Sequence, residues 1–577
     1  MKRGFQTQFE DIVMDIASGA VSWRVLYGAI TPGGGKSSLA LILSRLLPKF
    51  ADKLLWVVPR VTLAKQAEET FLKPELARLF PHTAKIRHDT NTPNPCRSHQ
   101  GYTTTYDAIR ADPGLHRQEF ARYRYILLLD EPHHVKTHFE QPEHPEFVTS
   151  HAIQPLIDTA ALVVYASGTF ERHDQKPILG LPYVETGKGY ELSFPAQQTI
   201  RYRRQDALYD KAIVPLHFTV LNAQAQWRDG KGKKIERESF DETSYESGQM
   251  LNAVLETEFA QHLLHETVTQ WQGHKQQYPK AKLLVVAPQI TIAKRYASWL
   301  KTDHGLIARI ATSDDTKDAR EAIDAFKGRG AAKLDVLVTV GMAYEGLDVP
   351  EITHLACLTR YRSRPWLEQC FARACRTAPG KSFGYIFAPD DPLLSAVVKM
   401  IQDEQSAVVK DIDPNEPPQV PGGLGGTKGG DENRVIPLTS KATDVRSYDY
   451  EQSITREETA RIALIMQQHG ILGVSPLQMK RAFDAMDILQ PPSPAPDPLP
   501  DELTPSEEEA RQRTAIDAYT KSVDFAYFAG AWGSTNMDIR RHGFLPRENM
   551  SLEELLTLWQ WLNERYPLGP VSSEEVI

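Results

Sequence analysis

One octapeptide constrains this chain more than any other feature: Thr31-Pro32-Gly33-Gly34-Gly35-Lys36-Ser37-Ser38, set between the apolar run Arg24–Ile30 and a helical stretch ending near Pro48. Gly33, Gly34 and Gly35 let backbone N–H groups turn inward around phosphate oxygens, and the helix N-terminus behind them adds a favourable dipole. Lys36 is spaced to reach the β- and γ-phosphates of ATP, and the Ser37 hydroxyl to complete a Mg²⁺ shell. Ile30 stands where the strict loop pattern has its first glycine. A glycine-rich turn with a solvated lysine is the plain alternative, and the flanking strand and helix argue against it.

The complementary chemistry comes 94 residues after Lys36, at Tyr125-Ile-Leu-Leu-Leu-Asp130-Glu131-Pro132-His133-His134. A buried strand that ends in two carboxylates is hard to explain as packing, since unpaired charge is excluded from cores. Asp130 is placed to hold the Mg²⁺ that bridges the phosphates, and Glu131 to orient and deprotonate the attacking water. His133 or His134 is placed to sense the γ-phosphate. A metal site on the histidines lacks a third ligand nearby.

A chain of 577 residues exceeds one domain, and its composition, 41% hydrophobic and 24% charged, excludes disordered, collagenous and membrane-spanning classes. The N-terminal residues carry acids where a secretory signal needs an apolar stretch. Four cysteines do not make a disulfide scaffold, so a cytoplasmic setting is expected. A net charge of −8 gives no global attraction to nucleic acid, though a local basic cleft would be hidden in that sum.

Up to about residue 398, short apolar runs alternate with amphipathic stretches, the pattern of β/α units on parallel sheets. Strands are expected at Arg24–Ile30, Leu54–Val58, Tyr125–Leu129, Ala161–Ala166, Leu283–Ala287, Val336–Val340 and Tyr385–Ala388. Val57–Lys65 is echoed at Val286–Lys294, each copy running strand, proline turn, helix start. Residues 411–440 are rich in Gly and Pro and read as a flexible linker; 491–500, PPSPAPDPLP, reads as an extended, stiff break.

These residues together resemble a superfamily 2 helicase motor of the DExH type over residues 3–388. Arg3-Gly4-Phe5-Gln6 is similar to the adenine-reading element, with Gln6 as the adenine contact. Thr31–Ser37 resembles motif I, and Asp130–His133 motif II. Pro59-Arg60 resembles motif Ia, Thr104-Thr105-Tyr106 motif Ib, and Ser167-Gly168-Thr169 the coupling motif III. Val286–Ala293 resembles motif IV. Thr339-Val340-Gly341 with Glu345-Gly346-Leu347-Asp348 resembles motif V, in which Gly346 and Asp348 would meet the nucleotide. Gln369, Arg373 and Arg376 fit motif VI, with Ala372 replacing the family's glycine. The trailing Thr377-Ala-Pro-Gly-Lys381 is similar to the branch that includes restriction-enzyme motor subunits and DNA translocases.

The resemblance implies an α/β fold of two tandem RecA-like domains, parallel sheets with helices on both faces, at 1–190 and 191–398. A linker at 399–445 and a mostly helical accessory region at 446–577 would follow. It further implies nucleic-acid contacts from Arg60, Thr104, Thr105 and Thr339, and coupling by His133, Ser167 and Thr169. Gln369, Arg373 and Arg376 also make sense without the family. They recur at helical spacing, and guanidinium groups suit charge developing on a transferred phosphoryl group.

The expected function is that of an ATP-dependent DNA helicase or translocase. An RNA helicase, and a nucleotide-gated module acting through a protein partner on the tail, are the alternatives. No membrane partner is expected. In the tail, Phe525, Tyr527, Phe528 and Trp532 followed by Arg540-Arg541-His542 read as a small hydrophobic core, with stacking on a single strand as the second reading. The glutamates at 507–509 read as a solvated helix start. Ser551 and Glu554 predict a capping box ahead of a helix with Leu552, Leu555, Leu556, Trp559 and Leu562 on one face.

Overall fold

Strand Tyr125–Asp130 buries five consecutive residues, which requires cover on both faces of its sheet. The computed structural model provides it. The model describes residues 2–89, 91–135, 148–171, 177–186, 189–240, 247–312, 317–329, 333–341, 347–405, 435–448 and 503–568.

The first sheet comprises β1 (Val25–Ile30), β2 (Lys53–Val58), β3 (Ile86–His88), β4 (Gly101–Thr105), β5 (Tyr125–Asp130), β6 (Leu162–Ser167) and, past the hairpin β7 (Tyr183–Thr186) and β8 (Gly189–Leu192), β9 (Thr199–Tyr202). Its order is β3-β4-β2-β5-β6-β1-β9, and every neighbouring pair is parallel. Helices α1 (Gly4–Ser18), α2 (Ser38–Leu43) and α3 (Val61–Thr70) send Phe5, Phe9, Leu39 and Ala64 into the core on one face. Because β9 pairs with β1, this sheet reaches past residue 190, where the sequence divided the chain.

The second sheet contains β10 (Leu216–Arg228), β11 (Lys234–Arg237), β12 (Lys282–Val286), β13 (Ala308–Thr312), β14 (Val336–Val340), β15 (Ile352–Cys357), β16 (Gly384–Pro389) and β17 (Ile436–Tyr448). It is mixed: β16, β15, β12, β14 and β13 run parallel, while β11 and β17 pair antiparallel with β10. The seven strands expected from sequence all appear, within a residue or so of the expected bounds. The echoed segments are equivalent, β2 leading into α3 and β12 into the helix Ile290–His304.

The tail corrects several expectations. Helix Pro392–Gln405 and strand β17 occupy the two ends of the expected linker, β17 pairing antiparallel along β10; residues 406–434 lie outside the described residues. So do 449–502, and with them the Pro-rich break at 491–500. Helices Pro505–Tyr527, Ser534–Arg541 and Leu552–Arg565 pack around Ile516, Val523, Ile539, Met550, Leu555, Leu558 and Leu562. Ser551 and Glu554 form the capping box. Leu556 is exposed and Leu558 takes the buried place, since the inward stripe runs 555, 558, 562. Phe525 and Trp532 are exposed rather than core, because the buried residues Thr520 and Val523 fix the opposite face inward.

Glu509 is buried, not solvated. It takes Arg87 at 3.0 Å, Arg97 at 3.5 Å and Arg513 at 2.9 Å, docking the bundle onto β3 at the edge of the first sheet. Ser506 donates to Glu68 of α3 through its backbone N–H at 2.8 Å and its hydroxyl at 2.5 Å.

Candidate nucleotide site

The strand order β5-β6-β1 sets the C-terminal ends of three neighbouring parallel strands side by side. Asp130-Glu131, Ser167 and the Thr31–Ser37 loop leave from those ends, so the topology alone gathers residues distant in sequence. The loop is tight. Gly33 and Gly35 hold φ of 80° and 91°, and a Cβ on Gly34 would lie 2.8 Å from the Thr31 carbonyl oxygen.

Lys36 pairs with Glu131 and lies 3.3 Å from Asp130. The Ser167 hydroxyl sits 2.5 Å from Glu131 Oε2, and His133 Nδ1 is 3.5 Å from the same oxygen. Thr169 donates its backbone N–H to Ser167 Oγ at 3.1 Å. Tyr106 donates to the Asp130 carbonyl oxygen at 2.8 Å. Gln6, from α1, donates to Ser38 Oγ at 3.1 Å, which puts the expected adenine contact against the loop.

Sequence reasoning gave no role to the Arg3 side chain, yet its guanidinium donates to the Gly34 carbonyl and would clash, at 2.5 Å, with a Cβ on Gly35. No local pattern in the sequence signals it, because the carbonyl it holds lies 31 residues away.

The second half of the chain closes over the loop. A Cβ on Gly33 would meet Ile213 Cγ2 at 3.0 Å and Cys375 Sγ at 3.6 Å. Arg376, next to Cys375, pairs with Asp348, and Arg373 donates to the Leu347 carbonyl oxygen at 3.1 Å. Burial alone would raise the Asp348 carboxyl, but the cations Arg376, Lys73 and Arg373 outweigh it and hold it below the ordinary carboxylate range. Lys381 supports this stretch by donating to the carbonyls of Pro350 at 2.8 Å and Ile352 at 2.6 Å; burial pushes its amine down to about 7. Beside Ser37 opens a cavity of about 290 Å³, lined by Glu69 of α3, by Lys73 just beyond that helix, and by Lys327, Arg329 and Asp348 from the second half. Gly346 lies outside the described residues.

Buried and without a hydrogen-bond partner among the described residues are Thr169 Oγ1, Gln369 Nε2 and Arg376 Nε, while Asp130 Oδ1 faces the Lys36 ammonium at 3.3 Å. Buried polar groups are almost always satisfied, so this set, with the glycine cradle, fits a nucleoside triphosphate and its metal.

The expected nucleic-acid threonines are placed differently. Thr104 is buried and donates to the Asp89 carbonyl oxygen at 2.9 Å, and Thr105 accepts from Ala108 N at 3.1 Å as a helix cap. The Thr339 hydroxyl is buried in β14. Strand pairing turns these hydroxyls inward, so none of the three is offered to a ligand from its side chain. Arg60 caps α3 at its N-terminus and is half-buried. The four cysteines are buried free thiols, and no cluster of metal-ligating side chains occurs among the described residues. Among those residues no helix is long and apolar enough to cross a membrane.

Residues 24–172 match the family model described as "Type III restriction enzyme, res subunit". Over that stretch, from just before β1 to just past β6, the chain is similar to the res subunit of type III restriction enzymes. This ResIII-like chain is 25% identical over 409 residues to the protein named "Uncharacterized protein MT2985" of Mycobacterium tuberculosis, a match covering 67% of the chain and 62% of that relative. The match thus spans less than two thirds of the relative's length. It is 33% identical over 142 residues to the UvrABC system protein B of Colwellia psychrerythraea, 22% of the chain and 20% of that protein. Among solved structures, it is similar to the Mycobacterium smegmatis helicase Lhr bound to ssDNA and AMP-PNP, at 15% identity and a TM-score of 0.43, over 69% of this chain and 48% of that one.

Proposed function

We propose that this chain hydrolyses ATP between its two sheets and uses the opening and closing of that cleft to move on nucleic acid, DNA in preference to RNA. The observation that carries the reading is the packing of the Cys375-Arg376 segment against Gly33, with Lys36, Asp130, Glu131 and Ser167 converging on the same loop. A triphosphate in the loop would displace Lys36 from its carboxylates and draw Arg373 and Arg376 across. Ser37 and Asp130 would hold Mg²⁺, which supplies charge neutralisation at the β- and γ-oxygens. Glu131, oriented by Ser167, takes the proton of the attacking water. Arg373 and Arg376 offset negative charge as it develops on the phosphoryl group. Differential contact with the γ-phosphate is what couples hydrolysis to closure.

Grip on the strand comes through phosphates, so binding should depend weakly on sequence and strongly on salt. The test is an ATPase titration with single- and double-stranded DNA and RNA at two salt concentrations. DNA-stimulated turnover that declines with salt supports the reading, and turnover indifferent to every nucleic acid overturns it.

A further inference from the structure

We propose that the C-terminal bundle carries a stacking surface for single-stranded nucleic acid, built on Phe525 and Trp532 and flanked by Lys521, Arg540 and Arg541. The proposal rests on the reading of the chain as a nucleic-acid motor. Phe525 is 74% exposed and Trp532 69%, although rings of this size are ordinarily buried over most of their surface.

A clamp keeps them there. Asp524 is buried, and its carboxylate accepts the N–H of Gly533 and of Thr535, both at 2.7 Å, and the Thr535 hydroxyl at 2.5 Å. Its carbonyl accepts from Gly530 N at 2.9 Å. Ala529, Gly530 and Gly533 all hold left-handed φ, at 50°, 80° and 88°, a conformation that a residue with a Cβ such as Ala529 adopts only when its surroundings impose it. Phe525 adjoins one end of the Asp524–Gly533 hydrogen bond and Trp532 adjoins the other. One fixed turn therefore holds both rings in solvent.

The charges around them favour a polyanion. Helix Ser534–Arg541 buries Thr535 and Ile539, which leaves Met537, Arg540 and Arg541 on its outward side. Lys521 lies one turn before Phe525 on the same helix face. Nearby acids are already engaged: Asp517 with Arg547 at 2.8 Å, Asp538 with Arg565 at 2.7 Å, and Asp524 with backbone N–H groups. No such ion pair engages Lys521, Arg540 or Arg541 among the described residues. Flat rings among uncompensated cations suit bases and phosphates, whereas the centre of a protein-docking patch is depleted of charge. Glu509 and Ser506 fix the bundle to β3 and α3, so a strand held here stays with the first half of the motor while the second half moves.

The experiment is fluorescence anisotropy of the full chain with labelled single-stranded oligo-dT and oligo-rU at two salt concentrations. Trp532→Ala and Phe525→Ala should each weaken binding about tenfold, with the melting temperature retained. Trp532→Phe, which keeps a ring, should restore most of the affinity. Arg540→Ala with Arg541→Ala should lower the slope of log affinity against log salt by about 1.4. Wild-type affinity in both alanine variants, as a protein-docking surface would give, overturns the proposal while leaving the motor reading intact. A wild-type chain that binds neither oligonucleotide also overturns the proposal, whereas the motor reading falls only if ATP turnover is indifferent to double-stranded DNA as well.

Discussion

Glu131 holds φ 50° and ψ 61°, a left-handed conformation that costs a non-glycine residue on the order of 1 kcal/mol or more. The turn aims its carboxylate at Lys36 and Ser167 instead of letting it follow β5 outward. Glu131→Gln keeps the shape and removes the base, so ATP binding should persist while single-turnover hydrolysis slows by about 10²–10⁴. Lys36→Ala should abolish turnover, and a variant that still hydrolyses ATP in the same assay would remove the loop from the mechanism. Both residues are legible in the sequence because the neighbours that betray them are local: glycines on one side, a buried strand on the other. Arg3 is not legible, since the carbonyl it holds is 31 residues away and a basic residue before a helix announces nothing. The threonines Thr104 and Thr105 mislead for the opposite reason. Their motif is local, but whether a strand-end hydroxyl faces out depends on β3 and the following helix, which only the fold supplies.

At the scale of elements, periodicity finds strands and helices well but says little about where a helix docks. The three glutamates that open helix Pro505–Tyr527 look alike in sequence, yet Glu509 reaches Arg87, 422 residues away. Removing one member of such a buried charge cluster leaves the others uncompensated, at a cost of roughly 3–5 kcal/mol. Glu509→Ala should therefore free the bundle from the sheet edge, read as early proteolytic release of the residues beyond 503 with the first sheet still protected. Simultaneous loss of both would show that the bundle is not separately docked.

The second sheet carries a pH dependence of its own. Burial drives the His354 imidazole down to about 3, helped by His274 and Lys381. Unfolding returns it to about 6.5, so the folded state binds fewer protons and loses stability as pH falls from 6.5 toward 3. Each tenfold difference in proton affinity is worth about 1.4 kcal/mol. His354→Phe keeps the stack on Tyr385, now at 4.7 Å, and should flatten the fall of melting temperature over that range. An unchanged slope would assign the acid sensitivity to other groups.

On the scale of the whole molecule, the two halves meet through charge as well as shape. Lys73 lies on the first half and helps depress the Asp348 carboxyl on the second, while Glu69 on the first half acts on Lys327 across the same cavity. Asp348 in turn holds Arg376, so the arginine proposed to meet the phosphoryl group is parked on a carboxylate at the rim of the cleft. Two consequences follow for Arg376→Ala. Nucleotide affinity should change little, because Lys36 and the glycine loop make the ground-state contacts. Turnover should fall by about 10³–10⁵, the range for an arginine that acts on the transition state. Asp348→Asn separates this from a structural role: it releases Arg376 without removing it, so it should lower the affinity of the two halves for each other in the absence of nucleotide while sparing turnover far more than Arg376→Ala does. Equilibrium nucleotide binding and single-turnover rates on both variants decide the matter. If Arg376→Ala loses ATP affinity in proportion to rate, the arginine serves binding alone, and closure of the cleft is no longer what drives hydrolysis.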